Sequence, residues 1–305
     1  MTQRNLFQQK LSDLLPDVEL RFDEPLARHT SFRIGGPAEA MAFPRNAEEL
    51  SRVLKAAQAL SCKPRLLGAG TNVLAPDEGV AGLIICLKDA FDGMEQLDET
   101  HIRIMSGVTM TRAAVFAANL GLSGLEFAHG IPGTVGGGVY MNAGAYGGEI
   151  CQVCSRVAVM DFSGETRIFS GDEMEFSYRH SRLEREPGIV VWAEFALNAA
   201  ESDSVKEKMR ELMARRKASQ PLELPSAGSA FKRPVGGYAA ALIDQAGLKG
   251  FRVGGAAVSE KHAGFAVNLG GATAAEVLAL LEQVSDIVFE KSGIRLEPEI
   301  RLWEQ

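Results

Sequence analysis

The chain has 305 residues, enough for two domains or three small ones by the usual size of a folding unit. Hydrophobic residues make up 46% and charged residues 23%, an ordinary globular balance that excludes a disordered chain or a coiled coil. Thirty-two Lys and Arg against 39 Asp and Glu leave a net charge of −7 with no basic run, so no face is suited to displacing counterions from nucleic acid. No stretch of roughly 18 apolar residues reads as a membrane span, and the N-terminus lacks the apolar core of a secretory signal. The expected compartment is the cytoplasm, with no membrane or nucleic-acid partner.

In chain order, Glu39–Phe43 reads as a strand, and Asn46-Ala-Glu-Glu49 is a capping signal for a helix carrying Leu50, Val53, Leu54, Ala57 and Leu60 on one face. Strands follow at Arg65–Leu67, Leu83–Leu87 and Ile102–Met105, a short helix at Thr109–Gly121, then strands at Val157–Met160 and Ile189–Leu197. Val205–Lys217 is a helix with Met209, Leu212 and Met213 inside; its Arg210, Arg215, Arg216 and Lys217 read as a solvated face. Strands Arg252–Val258 and Phe265–Leu269 precede a helix that opens on the capping box Thr273-Ala-Ala-Glu276 and stops at Gly293. The interleaving makes the class α/β or α+β, with breaks at Lys88–Thr100 and Asn198–Ser204. Cys151-Gln-Val-Cys154 has half the spacing of a zinc site, but nothing completes four ligands, so the four cysteines read as small, partly buried thiols and no metal is expected.

Glycine is the compositional outlier, with 32 copies, ten of them between Gly121 and Gly148. Such loops let backbone N–H groups approach a phosphate unobstructed. Gly68-Ala69-Gly70 follows a strand, but Val73 stands where a dinucleotide fingerprint needs its third glycine, and Pro76 and Gly79 exclude the helix that should follow. No phosphate-binding G-x-x-x-x-G-K-[ST] loop, serine-nucleophile elbow or H-E-x-x-H is present. Two loops remain, Gly68–Asn72 and Gly130–Gly138, with polar donors Thr71, Asn72, Thr134 and Asn142 among them. They suit an extended diphosphate, and tight turns in a β-rich fold account for glycine excess equally well.

Seven segments, in order, resemble the UDP-N-acetylenolpyruvoylglucosamine reductase family over about nine-tenths of the chain. They are His29-Thr-Ser-Phe-Arg-Ile-Gly-Gly-Pro37, Leu67-Gly-Ala-Gly-Thr-Asn-Val-Leu74, the stretch from Gly124 to Gly147, Tyr178-Arg-His-Ser181, Gly228-Ser-Ala-Phe-Lys232, Ser259-Glu-Lys-His-Ala263 and Leu296-Glu-Pro-Glu-Ile300. The resemblance implies an α+β flavoprotein. A vanillyl-alcohol-oxidase-type FAD-binding domain would comprise subdomains 1–87 and 88–199, and residues 200–305 would bind substrate, with the extreme C-terminus returning to the first subdomain. Little room between Arg179 and Ser229 places the chain in the family's shorter class, without a tyrosine-bearing loop. It departs from the family pattern at Arg233, where Asn is usual, and at His129 and Gly138, where a small or apolar residue and Ala are usual.

By the same resemblance, FAD binds non-covalently through Arg33, Gly35, Gly68, Ala69, Gly70, Thr71, Asn72, Gly130, Ile131, Pro132, Gly133, Thr134, Gly136, Gly137, Asn142 and Gly144, and NADPH reduces it. Tyr178, Lys232, Arg233 and His262 would contact a nucleotide-sugar substrate. Arg179, whose planar fork holds a carboxylate bidentately, Ser229 as proton donor and Glu299 as hydrogen-bond donor to a developing enolate form the implied catalytic set. Without the family, Arg179 would be a surface cation, Ser229 a turn residue and Glu299 the solvent side of a terminal strand. A flavin oxidase of the same superfamily and a nucleotide-binding protein without chemistry are the competing readings. The chain is expected to be a monomer or weak homo-oligomer.

Overall fold

The structure, a computed structural model, describes residues 3–304. Seven helices occur among the described residues: α1 (Gln3–Leu14), α2 (Ala47–Ala59), α3 (Met110–Asn119), α4 (Val135–Tyr140), α5 (Ser202–Ser219), α6 (Ala239–Gln245) and α7 (Ala274–Ser292). The chain forms two compact units. One comprises Met1–Phe22, Ala40–Ala69 and Gly82–Arg216; the other comprises Asp23–Glu39, Gly70–Ala81 and Lys217–Gln305. The loop Asn198–Ser204 and nearly all of α5 therefore lie within the first unit, whose last residue is Arg216.

The first unit has two separate apolar cores. One joins α1 and α2 to a sheet ordered Glu19–Pro25, Pro37–Phe43, Val80–Cys86, Arg65–Leu67, the last two strands parallel. Asn46 caps α2 by accepting from the N–H of Glu49, and Leu50, Val53, Leu54 and Ala57 are buried, as the spacing predicts. The other core lies under an antiparallel sheet ordered Thr166–Ser170, Cys154–Met160, Ile189–Ala196, His101–Met105, Met94–Gln96, against which α3 and α4 pack.

In the second unit, Ser226–Ser229, Phe265–Asn268, Ala256–Val258 and Arg252–Val253 form an antiparallel sheet. The single strand expected at Arg252–Val258 is instead a hairpin: Gly254, at φ 55°, turns the chain so that Val253 pairs with Ala256. Helix α7 buries Val277, Leu280, Leu281, Val284 and Val288. Its capping box at Thr273 and Glu276 and its left-handed stop at Gly293 (φ 73°) stand as the sequence predicts. The carboxylate of Asp77 also accepts from the N–H groups of Ala274 and Ala275 at 2.8 and 3.1 Å. The strand Arg301–Leu302 runs parallel to Val73–Leu74.

Candidate functional site

The two glycine loops converge in the first unit. A Cβ on Gly68 would stand 2.7 Å from the Oγ1 of Thr134, so the loop after strand Arg65–Leu67 lies against the loop that opens α4. Thr134 is buried and caps α4, its hydroxyl accepting from the N–H of Gly137 at 3.4 Å. The N–H of Gly136 donates to the carbonyl of Ser106, and a Cβ on Gly136 would meet the Ser106 Cβ at 2.9 Å, which explains a glycine inside a helix. At Gly138 the Met110 sulfur fills the space, 2.7 Å from where a Cβ would be.

The backbone N–H groups of Gly68, Ala69, Gly133 and Thr134 donate to no other described residue. The Ser106 hydroxyl and the Nδ1 of His129 are also buried without a partner among the described residues. Arg216 completes this chemistry. Its Nη1 donates to the carbonyl of Gly130 at 2.6 Å, its Nε has no partner, and no carboxylate pairs with it among the described residues. It is 8% exposed, and burial pushes its guanidinium below its ordinary value. A buried cation without an acid and a set of unpaired amides fit a diphosphate.

The solvated-face reading of Arg216 is thus corrected. It lies three and four residues beyond Met213 and Leu212 and shares the buried stripe of Val205, Met209 and Leu212, a periodicity visible in the sequence. Asn142 is 1% exposed, and its side chain is occupied within the protein: it accepts from the N–H of Cys151 and donates to Glu149 and to the carbonyl of Ser177. Ser177 and His180 exchange both backbone hydrogen bonds, so Tyr178 and Arg179 form a two-residue tip, with the Arg179 guanidinium 5.1 Å from the Tyr178 ring centre. Arg179 (φ 56°) and Asn142 (φ 42°) both adopt the left-handed conformation, uncommon away from glycine.

Nearby, Cys154 is buried and its thiol is pushed up to about 12 by desolvation, while exposed Cys151 is also shifted upward by desolvation. Neither has the lowered pKa of a reactive thiol. Among the described residues no group of three or more His, Cys, Asp or Glu could hold a metal ion.

The second unit carries the other named residues. Arg33 is left-handed (φ 57°), and Gly35 (φ 131°) packs with a would-be Cβ only 2.8 Å from Ala75. Gly70 (φ 61°) lies so close to the carbonyl of His29 that only glycine fits, and the Ser31 hydroxyl donates to the carbonyl of Ser226 at 2.6 Å. Strand Ser226–Ser229 therefore begins beside the loop bearing Gly70, Thr71 and Asn72, and Asn72 accepts at its carbonyl from the N–H of Arg301. At the strand's end, Glu299 donates its N–H to Ala230 and Lys232 donates its N–H to Glu297, both at 2.9 Å. Ser229 and Glu299, 70 residues apart, are held on adjoining backbones. The Lys232 ammonium is 3.4 Å from the Glu297 carboxylate, and Arg233 stacks 4.6 Å from the Tyr238 ring centre. His262 accepts at Nδ1 from Gly264, touches Phe265 edge-on, and is shifted down by burial.

Comparison with known proteins matches this geometry. Residues 38–170 match the FAD binding domain, and residues 220–303 match the C-terminal domain of UDP-N-acetylenolpyruvoylglucosamine reductase. The fold is therefore that of an FAD-binding domain followed by the C-terminal domain of this reductase family. The UDP-N-acetylenolpyruvoylglucosamine reductase of Caldanaerobacter subterraneus is 44% identical over 293 residues, covering 96% of each chain, and that of Agathobacter rectalis is 43% identical over 307 residues, covering 97% of this chain and 98% of its own. The crystal structure of the Thermus caldophilus reductase superposes with a TM-score of 0.79 at 36% identity, covering 94% of this chain and 99% of that one. The chain belongs to the UDP-N-acetylenolpyruvoylglucosamine reductase family.

Proposed function

We propose that this chain is an FAD- and NADPH-dependent oxidoreductase that reduces the enolpyruvyl ether of UDP-N-acetylglucosamine to UDP-N-acetylmuramate, a peptidoglycan precursor. Family membership across nearly the whole chain carries the reading. Its support within the fold is the set of unpaired amides at Gly68, Ala69, Gly133 and Thr134 beside a buried arginine that lacks an acid. Those residues would hold the diphosphate of FAD, with Gly70, Thr71, Arg33 and Gly35 supplying further contacts. The chemistry that FAD would supply there is hydride transfer from NADPH to the vinyl carbon of the substrate.

The protein's own groups handle the charge that results. Arg179 would hold the substrate carboxylate bidentately and stabilise the negative charge that spreads into it, an effect commonly worth several kcal/mol of barrier. Glu299 would serve as the hydrogen-bond donor to the enolate. Ser229 would deliver its hydroxyl proton to the neighbouring carbon; an alcohol is a weak acid, but a carbon enolate is basic enough to take the proton. Tyr178, Lys232, Arg233 and His262 would contact the nucleotide sugar. We assign flavin subdomains to residues 1–87 and 88–199 and the substrate domain to residues 200–305; the presence of two cores in the first unit favours two flavin subdomains, while α5 as far as Arg216 belongs with that unit.

No described helix is long and apolar enough to cross a membrane, and we assign the protein to the cytoplasm, where its soluble nucleotide substrates would be. The deciding experiment is anaerobic stopped-flow absorbance on Ser229→Ala. NADPH should still bleach the flavin at close to the normal rate, while reoxidation by the enolpyruvyl substrate should slow by two orders of magnitude or more, within the roughly 10²–10⁴ that general acid catalysis supplies. Equal slowing of both halves would refute the role of Ser229. Yellow colour that stays with the denatured protein would favour a covalent flavin oxidase.

A further inference from the structure

The carboxamide of Asn142 ties together three stretches of chain. Its Oδ1 accepts from the N–H of Cys151 at 2.9 Å, and its Nδ2 donates to the Glu149 carboxylate at 3.1 Å and to the Ser177 carbonyl at 3.0 Å. The last bond reaches 35 residues along the chain to the base of the turn that presents Arg179. A second strut stands beside it: the hydroxyl of Ser181, fully buried, donates to the carbonyl of Tyr140 at 2.8 Å. Both feet of the turn are thus fixed to the C-terminal end of α4, the short helix whose other end is the Thr134 glycine loop. Both Asn142 donors are committed and the group is buried, which leaves it nothing to donate to a ligand.

We infer that Asn142 is a positioning residue that acts through Arg179, not a cofactor ligand; the inference rests on the reading of Arg179 as the carboxylate clamp. Arg179 is left-handed and half-buried at the tip of the turn, a conformation that persists only where the surroundings over-determine it. The two struts to α4 supply that determination. Asparagine suits the position twice over: it tolerates φ 42° better than most residues, and it offers a donor pair and an acceptor on one planar group. Glu149, Cys151 and the turn are then held in one register with α4.

Asn142→Asp keeps the backbone preference and the acceptor toward Cys151 but removes both donors and sets two carboxylates against each other. Adding Glu149→Gln restores that hydrogen bond with donor and acceptor exchanged, so that the Ser177 carbonyl is the one partner Asn142 loses, alongside the long 3.6 Å contact from the Cys151 thiol to Glu149. In the holoenzyme carrying both changes, reoxidation of the reduced flavin by the enolpyruvyl substrate should slow at least about tenfold more than reduction by NADPH, since a misplacement of about 1 Å can cost about 100-fold. FAD affinity, read by flavin fluorescence, should change less than about threefold. Placed on Arg179→Ala, the same pair should alter reoxidation by less than about twofold, because the group through which it acts is gone.

Equal factors in both backgrounds, or equal slowing of both half-reactions with weakened FAD binding, would overturn the inference. If Arg179→Ala alone leaves reoxidation unchanged, the clamp reading itself fails and takes the inference with it. Should the double variant not fold, Ser181→Ala, which removes the other strut, must show the same preference for the substrate half-reaction.

Discussion

Gly68→Ala tests whether the two glycine loops work as one surface. The backbone at Gly68 is not left-handed, so alanine is not strained by φ; the effect comes from the added Cβ alone, 2.7 Å from the Thr134 hydroxyl and under the roughly 3.0 Å that Cβ contacts keep. Thr134 is 2% exposed and engaged as the cap of α4, so it cannot turn away without releasing the N–H of Gly137. Overpacking of this kind costs about 1–3 kcal/mol. If the strain falls on the geometry that receives FAD, the Kd rises about 5- to 150-fold at 1.4 kcal/mol per decade. The assay is titration of apoprotein with FAD by flavin fluorescence, for Gly68→Ala, Thr134→Ala and the pair. Thr134→Ala loses the cap, worth about 0.5–2 kcal/mol, but makes room for the new methyl group. In that background Gly68→Ala should then weaken FAD by less than about threefold, a coupling expected only of touching residues. A Kd within twofold of wild type for Gly68→Ala alone, or equal factors in both backgrounds, would refute the reasoning.

Two further outcomes follow from the same structure. Asp77→Ala removes the carboxylate that accepts from Ala274 and Ala275 at the N-terminus of α7, leaving only the Thr273 cap; a loss of about 1 kcal/mol, seen as a melting temperature lower by about 2–4 °C, is expected, and no change would show the contact to be energetically empty. Burial holds both His129 and His262 below their ordinary value of 6.5. The unfolded chain therefore binds more protons than the native one below that pH, and stability falls as the pH drops from about 6.5 toward the depressed native values. Melting temperatures measured from pH 7.5 to 5 should decline less steeply in His129→Gln than in wild type, and identical slopes would contradict the assignment.

Much of the fold is legible in the sequence because its signals are local. A cap and its box sit within four residues, so the starts of α2 and α7 are readable from Asn46 and from Thr273 with Glu276. The strand Arg65–Leu67 is readable from its bounding residues, whereas the hairpin at Arg252–Val258 is harder to read because two glycines within a short, largely apolar segment resemble a bulge as much as a turn. Side-chain direction is harder to read. Arg216 looks like a member of a charged run until its register with Met209 and Leu212 is followed, and Asn142 looks like a ligand donor because its motif fixes the residue type but not which partner 35 residues away takes its hydrogen bond.

Glycine shows the same division within one stretch. The excess between Gly121 and Gly148 signals close approach without naming what approaches. For Gly136, Gly138, Gly144 and Gly148 a Cβ would meet Ser106, Met110, Glu149 and Phe127, so close packing contributes at those glycines. Gly137 is exposed, and a Cβ there would find only the Thr134 hydroxyl, at 3.7 Å; a Cβ on Gly147 would meet nothing within 4 Å. Composition counts both kinds alike. On the reading proposed above, the unpaired amides and Arg216 together would hold the diphosphate, and Arg216 is a residue that no glycine count would have found.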